Sequence, residues 1–402
     1  MGRIAILENS IQEYAWGSKT FIPELIGESS PAESPKAEMW MGSHPKAPSM
    51  AIYNNNRIPL AELIRRDPSG FLGMPIAEKF SNELPFLFKV IAATKPLSIQ
   101  SHPDKERAKT NFIREDQKKI PLEAGNRNYR DDNHKPELIC ALEPLWALKG
   151  FRKIEDILNI TDKFGASARR LGIDILKSQP NEGGLKNFFM ALMNMEEERK
   201  RNLLDEIARK IKGFTFSSPA FDWIMRLKRE YPGDIGVLSP LFLNVLQLQP
   251  GEAVQIPCGE LHAYLEGAGL ELMANSDNVI RGGLTKKHID VPELMNILDF
   301  TPHTPDTLIP EGNDQLEAFY PVTADEFMLS VVSLNRKDSI YRSPHSRSAE
   351  IMICIEGDGY ITDQHNKDLL KIHKGTSLFI PAAVEQYLIQ GEAIIYKASV
   401  PL

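Results

Sequence analysis

Lys95-Pro96-Leu97-Ser98-Ile99-Gln100-Ser101-His102-Pro103-Asp104 is the stretch on which the reading of this chain turns. Upstream, Leu84 to Ile91 is apolar and β-rich, and Leu97 to Ile99 resumes that pattern. Successive strand side chains point to opposite faces, so Gln100 and His102 are expected to share one. An amide oxygen beside an imidazole nitrogen offers two ligands for one metal ion. Pro103 has no backbone N–H and ends the ladder just past the histidine, which predicts a strand end near a cavity mouth. The competing reading is a strand with two polar residues on its wet face, since short motifs also match by chance.

Outward from this stretch, composition narrows the class. The chain has 402 residues, which suggests two or three domains. An apolar fraction of 42% and a charged fraction of 25% supply ordinary material for a globular core. No apolar run reaches membrane-span length, and Met1 to Glu8 lacks the apolar core of a signal peptide, so the cytoplasm is the expected compartment. Cys140, Cys258 and Cys354 stand far apart, which is neither a disulfide framework nor a thiolate zinc site. The net charge of -7 and the absence of a dense basic tract argue against nucleic acid as a partner. An anionic ligand would need a local Lys and Arg cluster acting against that overall field.

Along the chain, turn residues break the first hundred positions too often for long helices. Glu38 to Gly42 has strand character, Leu60 to Arg66 and Pro75 to Phe80 read as short helices, and Lys105 to Lys119 as a helix with a solvated face. Asn126 to His134 reads as a loop and Glu137 to Leu142 as a strand. From Ile154 to Tyr231 the pattern is helical: Leu203, Leu204, Ile207 and Ile211 form one apolar stripe, Gly183-Gly184 separates two helices, and Ser218-Pro219 starts another. The charged run Glu196 to Arg201 is read as a wet helix face.

Strand character returns at Leu238, with an internal repeat. Gln249-Pro250-Gly251 through Ile256-Pro257 to His262 and Gly267 overlays His373-Lys374-Gly375 through Ile380-Pro381 to Gln386 and Gly391. Two copies of one β unit are implied, and the second has Gln386 where the first has His262. Ile351 to Ile355, Gly357-Asp358-Gly359 and Tyr360-Ile361 read as a hairpin. The expected fold is mainly β with an α insertion: two antiparallel jelly-roll barrels and a helical domain.

Three segments then offer ligands: Gln100 with His102, Glu137, and His262. Two imidazoles, a carboxylate and an amide oxygen suit zinc, and also manganese, iron or cobalt, and the lack of thiolate favours a catalytic ion. Each residue also has a plainer role open to it. His262 can be a buried, hydrogen-bonded histidine, Glu137 can pair with Lys135, and His102 can cap a turn.

These motifs together resemble the type I mannose-6-phosphate isomerases, within the cupin superfamily. The resemblance rests on Ser98-Ile99-Gln100-Ser101-His102-Pro103-Asp104-Lys105, Asn128-Tyr129-Arg130-Asp131 with His134-Lys135-Pro136-Glu137, and His262-Ala263-Tyr264-Leu265-Glu266-Gly267. Glu271 to Arg281, Gly283-Leu284-Thr285, Tyr14-Ala15-Trp16-Gly17-Ser18 and Glu38 to Pro45 match too, so it covers nearly the whole chain. It implies zinc-dependent interconversion of mannose 6-phosphate and fructose 6-phosphate in mannose metabolism, with GDP-mannose biosynthesis as one use. It implies one Zn2+ per chain on Gln100, His102, Glu137 and His262, Arg281 as the catalytic arginine, and acid–base or ring-opening roles for His134 and Lys135. Trp16, Lys89, Tyr264, Asp277 and Lys287 fall on substrate-pocket positions. The implied layout is a catalytic cupin unit over 1–152 and 236–315, a helical insertion over 153–235, and a C-terminal cupin-like barrel without metal ligands over 316–402.

The sequence departs from the family pattern at Leu261, Ala268-Gly269, Gly282 and Lys286. None is an implied ligand; they bear on the loop near Arg281 and on substrate preference. A monomer acting on a small sugar phosphate, without nucleic acid or membrane, is the expectation. Two other readings remain at this point. Two-His-one-carboxylate sets also hold iron(II), as in a cupin oxygenase, and a double barrel can bind sugar without catalysis.

Overall fold

The computed structural model describes residues 2–216, 218–312 and 316–402. Two large antiparallel sheets dominate it. One runs Leu243–Leu248, Leu145–Phe151, His262–Ala274, Phe86–Ala93, Glu38–Gly42, Ser10–Gln12. Glu137–Ala141 pairs with the long His262–Ala274 strand and with Ala253–Ile256. The short strand Ile99–Ser101 sits between His262 and Ile280–Gly283. The second sheet is built on Met328–Arg342, Tyr387–Ser399, Glu350–Asp363 and Ser377–Ile380. It also takes in Ala5–Glu8, Met50–Tyr53 and Asn56–Pro59 from the start of the chain.

Strand alternation explains why a fully buried strand such as Phe86–Ala93 carries a lysine. Phe86, Phe88, Val90 and Ala92 pack with Leu138, Cys140, Leu270 and Leu272 and with Ile351, Ile353 and Phe379 of the second sheet. The intervening residues Leu87, Lys89 and Ile91 face the other way, as do Glu137, Glu271 and Met273 on the neighbouring strands, in register with them. One face of this sheet thus makes the core between the two β units, and the opposite face lines the candidate site.

The internal repeat has matching geometry. Gly251 and Gly375 turn at φ +86° and +87°, and Gly267 and Gly391 sit at φ +119° and +146° within two equally long strands. Ile256 faces Glu137 in the first copy, and Ile380 faces Glu350 in the second. Glu350 is surrounded by Lys397 at 3.2 Å, Arg347 at 3.5 Å and the Tyr387 hydroxyl at 2.8 Å. Gln386, at the place of His262, is within 3.3 Å of His345.

Among the described residues, six α-helices from Ile154–Asp162 to Pro219–Glu230 form the insertion. Leu203, Leu204 and Ile207 bury the stripe read from the sequence, with Ile211 at its margin. Three local expectations fail. Leu238, where strand was expected to return, lies in a 3-10 helix over Ile235–Leu241, and the strand begins at Leu243. Gly183 and Gly184 do not separate helices; they lie in the first turn of Glu182–Met193, where Asn181 caps the Gly184 N–H at 3.1 Å. A Cβ on Gly184 would come within 1.7 Å of the Gln179 carbonyl oxygen, so the glycine serves close approach. Gly357-Asp358-Gly359 is not a hairpin turn but the middle of strand Glu350–Asp363, next to a bulge. There a Cβ on Gly357 would meet the Glu392 carbonyl oxygen at 1.9 Å.

Candidate active site

His102 follows the last residue of Ile99–Ser101, Glu137 opens strand Glu137–Ala141, and His262 opens strand His262–Ala274. Each offers one ligand atom, and the three atoms lie within 4.8 Å of one another; all three residues are buried. His102 Nε2 is 3.2 Å from Glu137 Oε1, and His262 Nε2 is 3.1 Å from Glu137 Oε2. These four atoms have no hydrogen-bond partner. The reason is on the far side of each ring. His102 Nδ1 lies 2.6 Å from the Asn278 carbonyl oxygen and His262 Nδ1 lies 3.1 Å from that of Glu260. A carbonyl only accepts, so each Nδ1 carries the proton and each Nε2 presents a lone pair. Burial and the Lys135 ammonium push His102 down to about 4, in keeping with a neutral ring. Two lone pairs facing a buried carboxylate leave polar atoms uncompensated, and one dication between them resolves all four.

Gln100 stands in register with His262 on one side and with Arg281 on the other. Directly opposed residues share a face, so these three form a row across adjacent strands. Among the described residues no hydrogen-bond partner accompanies the Gln100 side chain, and its place in the site rests on this register.

Beside the row lies a buried polar network. Lys89 Nζ is 2.8 Å from Glu271 Oε2 and 3.8 Å from Glu38 Oε2, and it stands over the Trp40 ring. Burial alone disfavours its charge, but Glu271 and Glu38 outweigh that and hold the ammonium above its ordinary value. The Tyr264 hydroxyl donates to Glu271 Oε1 at 3.0 Å, and burial with Glu271 keeps its proton on. Asp277 reaches Lys46 at 2.9 Å and His44 at 3.6 Å. Burial opposes its charge, yet His44 and Lys46 hold its carboxyl well below the usual range. Trp16 is half-buried, stacked on Tyr14, and packs against the apolar group around Ile91, Ile139 and Ile256.

Lys135 is buried with Nζ 2.9 Å from Glu137 Oε1, the ion pair weighed from the sequence. His134 turns to Glu326 Oε1 at 2.7 Å and to the Cys258 thiol. Those contacts, Cys258 first and Glu326 second, outweigh burial and raise it to about 9. Arg281 and Lys287 have no carboxylate partner among the described residues. Burial and Arg130 disfavour the Arg281 charge, and burial with Arg281 and Arg130 disfavours that of Lys287. Three cations are therefore gathered without matching anions nearby, apart from an exposed Glu123 3.8 Å from Arg130.

Glu38, Trp40, His44, Arg130, Glu271, Asn278 and Glu326 were not singled out from the sequence. Glu271 carried a signal, being an acid between Leu270 and Leu272 in the apolar second half of its strand. Glu326 carried none, since it reaches His134 from 192 positions away.

Three family models match: the catalytic domain of type I phosphomannose isomerase over residues 4–154, its helical insertion domain over 166–243, and the mannose-6-phosphate isomerase cupin domain over 317–399. The mannose-6-phosphate isomerase of Escherichia coli (strain K12) is 39% identical over 390 residues, covering 96% of each chain. That of Homo sapiens is 32% identical over 407 residues, covering 94% of each. A crystal structure of a mutant phosphomannose isomerase from Salmonella typhimurium superposes with a TM-score of 0.92 at 36% identity, over 99% of this chain and 100% of that one. A zinc-bound mannose 6-phosphate isomerase structure, also 36% identical, gives 0.91 over the same shares. On these matches and on the fold they share, the chain belongs to the type I phosphomannose isomerase family.

Proposed function

We propose that this chain interconverts mannose 6-phosphate and fructose 6-phosphate, an aldose–ketose isomerisation, with a zinc ion held by His102, Glu137, His262 and Gln100. The observation that carries it is the meeting of His102 Nε2, His262 Nε2 and both Glu137 oxygens, four buried atoms without a hydrogen-bond partner among the described residues, Lys135 being only ion-paired to one of the oxygens. Two imidazoles and a carboxylate, with an amide oxygen in register beside them, suit zinc in an open, catalytic coordination. When bound, the ion supplies Lewis-acid polarisation of the substrate oxygens, worth several kcal/mol of transition-state charge stabilisation.

The rest of the work falls to side chains. A proton moves between the two carbons next to those oxygens, and the base must be within hydrogen-bond reach. Lys135, buried beside Glu137, takes that role. His134 is kept cationic by Cys258 and Glu326, which suits proton donation during ring opening and not abstraction from carbon. Arg281, permanently charged and in register with Gln100, adds fixed donors to the developing oxyanion. Lys287 and Arg130 seat the phosphate dianion, which relieves the mutual repulsion of the three cations. Lys89, Tyr264 and Glu271 form a rigid wall of donors and acceptors toward the sugar hydroxyls, with Asp277 and Trp16 at the pocket's edge.

No helix among the described residues is long and apolar enough to cross a membrane. We place the enzyme in the cytoplasm as a monomer, serving mannose metabolism including GDP-mannose synthesis. The test is a coupled assay with mannose 6-phosphate before and after chelation, with zinc add-back. Loss and return of isomerisation is expected. A folded, zinc-loaded protein that leaves mannose 6-phosphate unchanged would sink the proposal, and oxygen uptake during turnover would point to the oxygenase reading.

A further inference from the structure

One short piece of backbone joins the two imidazoles of the site. The Gly259 N–H donates to the His102 carbonyl oxygen at 2.8 Å, and the carbonyl oxygen of the next residue, Glu260, lies 3.1 Å from His262 Nδ1. A shift of this piece would therefore move both histidines. The Glu260 side chain is buried and held from two sides. Lys149 Nζ lies 3.0 Å from its Oε1 and 2.9 Å from its Oε2, and His303 Nε2 lies 2.9 Å from Oε1. Both anchors are themselves fixed. Lys149 stands opposite His262 in the ladder and so extends the row of Arg281, Gln100 and His262. His303 donates its backbone N–H to the Phe151 carbonyl at 3.1 Å, and its own carbonyl accepts from the Asn244 amide at 3.0 Å. Gly150, at φ +61°, makes room for the meeting: a Cβ there would come within 2.3 Å of Glu260 Oε1 and 2.6 Å of His303 Cε1.

We infer that Glu260 is a positioning residue for both metal-binding imidazoles, anchored by Lys149 and His303. A carbonyl orients an imidazole only if its own peptide is held still. Gly259, at φ +84°, precedes this peptide and brings the backbone freedom of a glycine with it. The flanking peptides are tied by backbone alone: the Gly259 carbonyl accepts from the Asp299 N–H at 3.0 Å and the Leu261 carbonyl from the Gly150 N–H at 2.8 Å. The peptide between them carries the carbonyl that faces His262, and the Glu260 side chain is its anchor. A carboxylate this deep in the fold is costly unless paired, and pairing it with Lys149 and His303 sets one arrangement of the segment against the others. Glu260, Lys149 and His303 thus act on the histidines through the backbone and take no part in the proton transfers. The inference rests on the zinc reading of the site, because the aim of the two Nε2 atoms matters only to an ion between them.

The experiment measures the zinc affinity of the full chain by competition with a calibrated chelator. Beside it stand the thermal midpoint of the metal-free protein and the visible spectrum of the cobalt-substituted one. Glu260→Gln keeps the shape of the side chain and removes its charge. It is expected to weaken zinc binding about tenfold or more and to change the cobalt spectrum, which reports the arrangement of the ligands and not the stability of the fold. His303→Ala, at a half-buried position, is expected to weaken binding by a smaller factor, and His303→Gln, which can still donate to Glu260, to restore the parent affinity. A parent protein that takes up no zinc overturns the zinc reading and this inference with it. A parent that binds zinc, with affinity and spectrum unchanged in Glu260→Gln and His303→Ala, overturns the positioning role alone, as does a fall in thermal midpoint without a fall in affinity. Should Glu260→Gln fail to fold, the pair at position 303 decides: His303→Ala and His303→Gln of equal affinity overturn the inference.

Discussion

His102 Nδ1 lies 2.6 Å from the carbonyl oxygen of Asn278, 176 positions along the chain. Asn278 is fully buried. Its side-chain oxygen accepts from the Arg130 N–H at 2.6 Å, and its amide donates to the carbonyls of Asp131 at 2.9 Å and Asn133 at 2.8 Å. One residue thus fixes the tautomer of His102 and the shape of the loop that leads into His134 and Lys135. Asn278→Ala is expected to weaken zinc binding by about 10–100-fold, the usual cost of losing an outer-sphere partner. Competition against a calibrated chelator measures it, and unchanged affinity would mean that His102 is oriented some other way.

Removing a proposed metal ligand and removing the proposed base are expected to look different. His262→Ala is expected to purify with little zinc and no activity. Lys135→Ala is expected to hold its zinc and lose about 10²–10⁴-fold in kcat, with KM little changed. Metal content by elemental analysis beside steady-state kinetics separates the two. A Lys135→Ala enzyme of near-normal kcat would move the base role elsewhere.

Arg130→Ala is expected to raise KM for mannose 6-phosphate about tenfold with a smaller change in kcat, because its proposed contact is with the phosphate, which does not react. The rise should shrink in high salt, where the contact is already screened. Inhibition by inorganic phosphate should weaken in parallel; a kcat effect alone would contradict this placement.

The raised His134 gives a pH signature. Its folded value, about 9, lies above the ordinary 6.5, so its stabilising contribution is complete below pH 6.5 and is lost as pH rises through 9. Thermal midpoints measured from pH 6 to 9.5 are therefore expected to fall more steeply in the parent protein than in Glu326→Gln. Parallel curves would show that the Glu326 contact contributes no such linkage.

In the second β unit, Lys397 Nζ is 2.5 Å from Glu317 Oε1 and 3.2 Å from Glu350 Oε1, all of them buried. Lys397→Met is expected to destabilise the protein by about 3–5 kcal/mol, since it leaves the Glu317 carboxylate without its cation in a low-dielectric interior and Glu350 with Arg347 alone. Denaturant melts of zinc-loaded protein test this, and zinc affinity in the folded variant is expected to stay unchanged.

Much of the architecture was legible because its signals are local or periodic. The Pro103 break after His102, the apolar β-rich run from Leu84 to Ile91, and the paired spacings from glycine to Ile-Pro each state a geometry in a few residues. What stayed hidden depends on distant positions meeting. Nothing near Asn278 announces that it organises the 128–134 loop, and nothing near Glu326 announces His134. The glycines misled where they serve close approach and not a turn: Gly357 lets a strand pass the Glu392 carbonyl, and Gly184 lets a loop lie on a helix. A sequence shows that a side chain is missing at such points but not which neighbour needs the room.

The strand Ala5–Glu8 is hydrogen-bonded to Ser377–Ile380. A ribosome releases the first of these long before the second, so one edge of the opening strand, whose other edge pairs with Met50–Tyr53, must wait uncovered through almost the whole of synthesis. Its Ala5 and Leu7 side chains belong to the core shared by both β units. The last β unit to emerge is thus a clasp, and a chain cut short before residue 377 would leave a bare sheet edge exposed to aggregation.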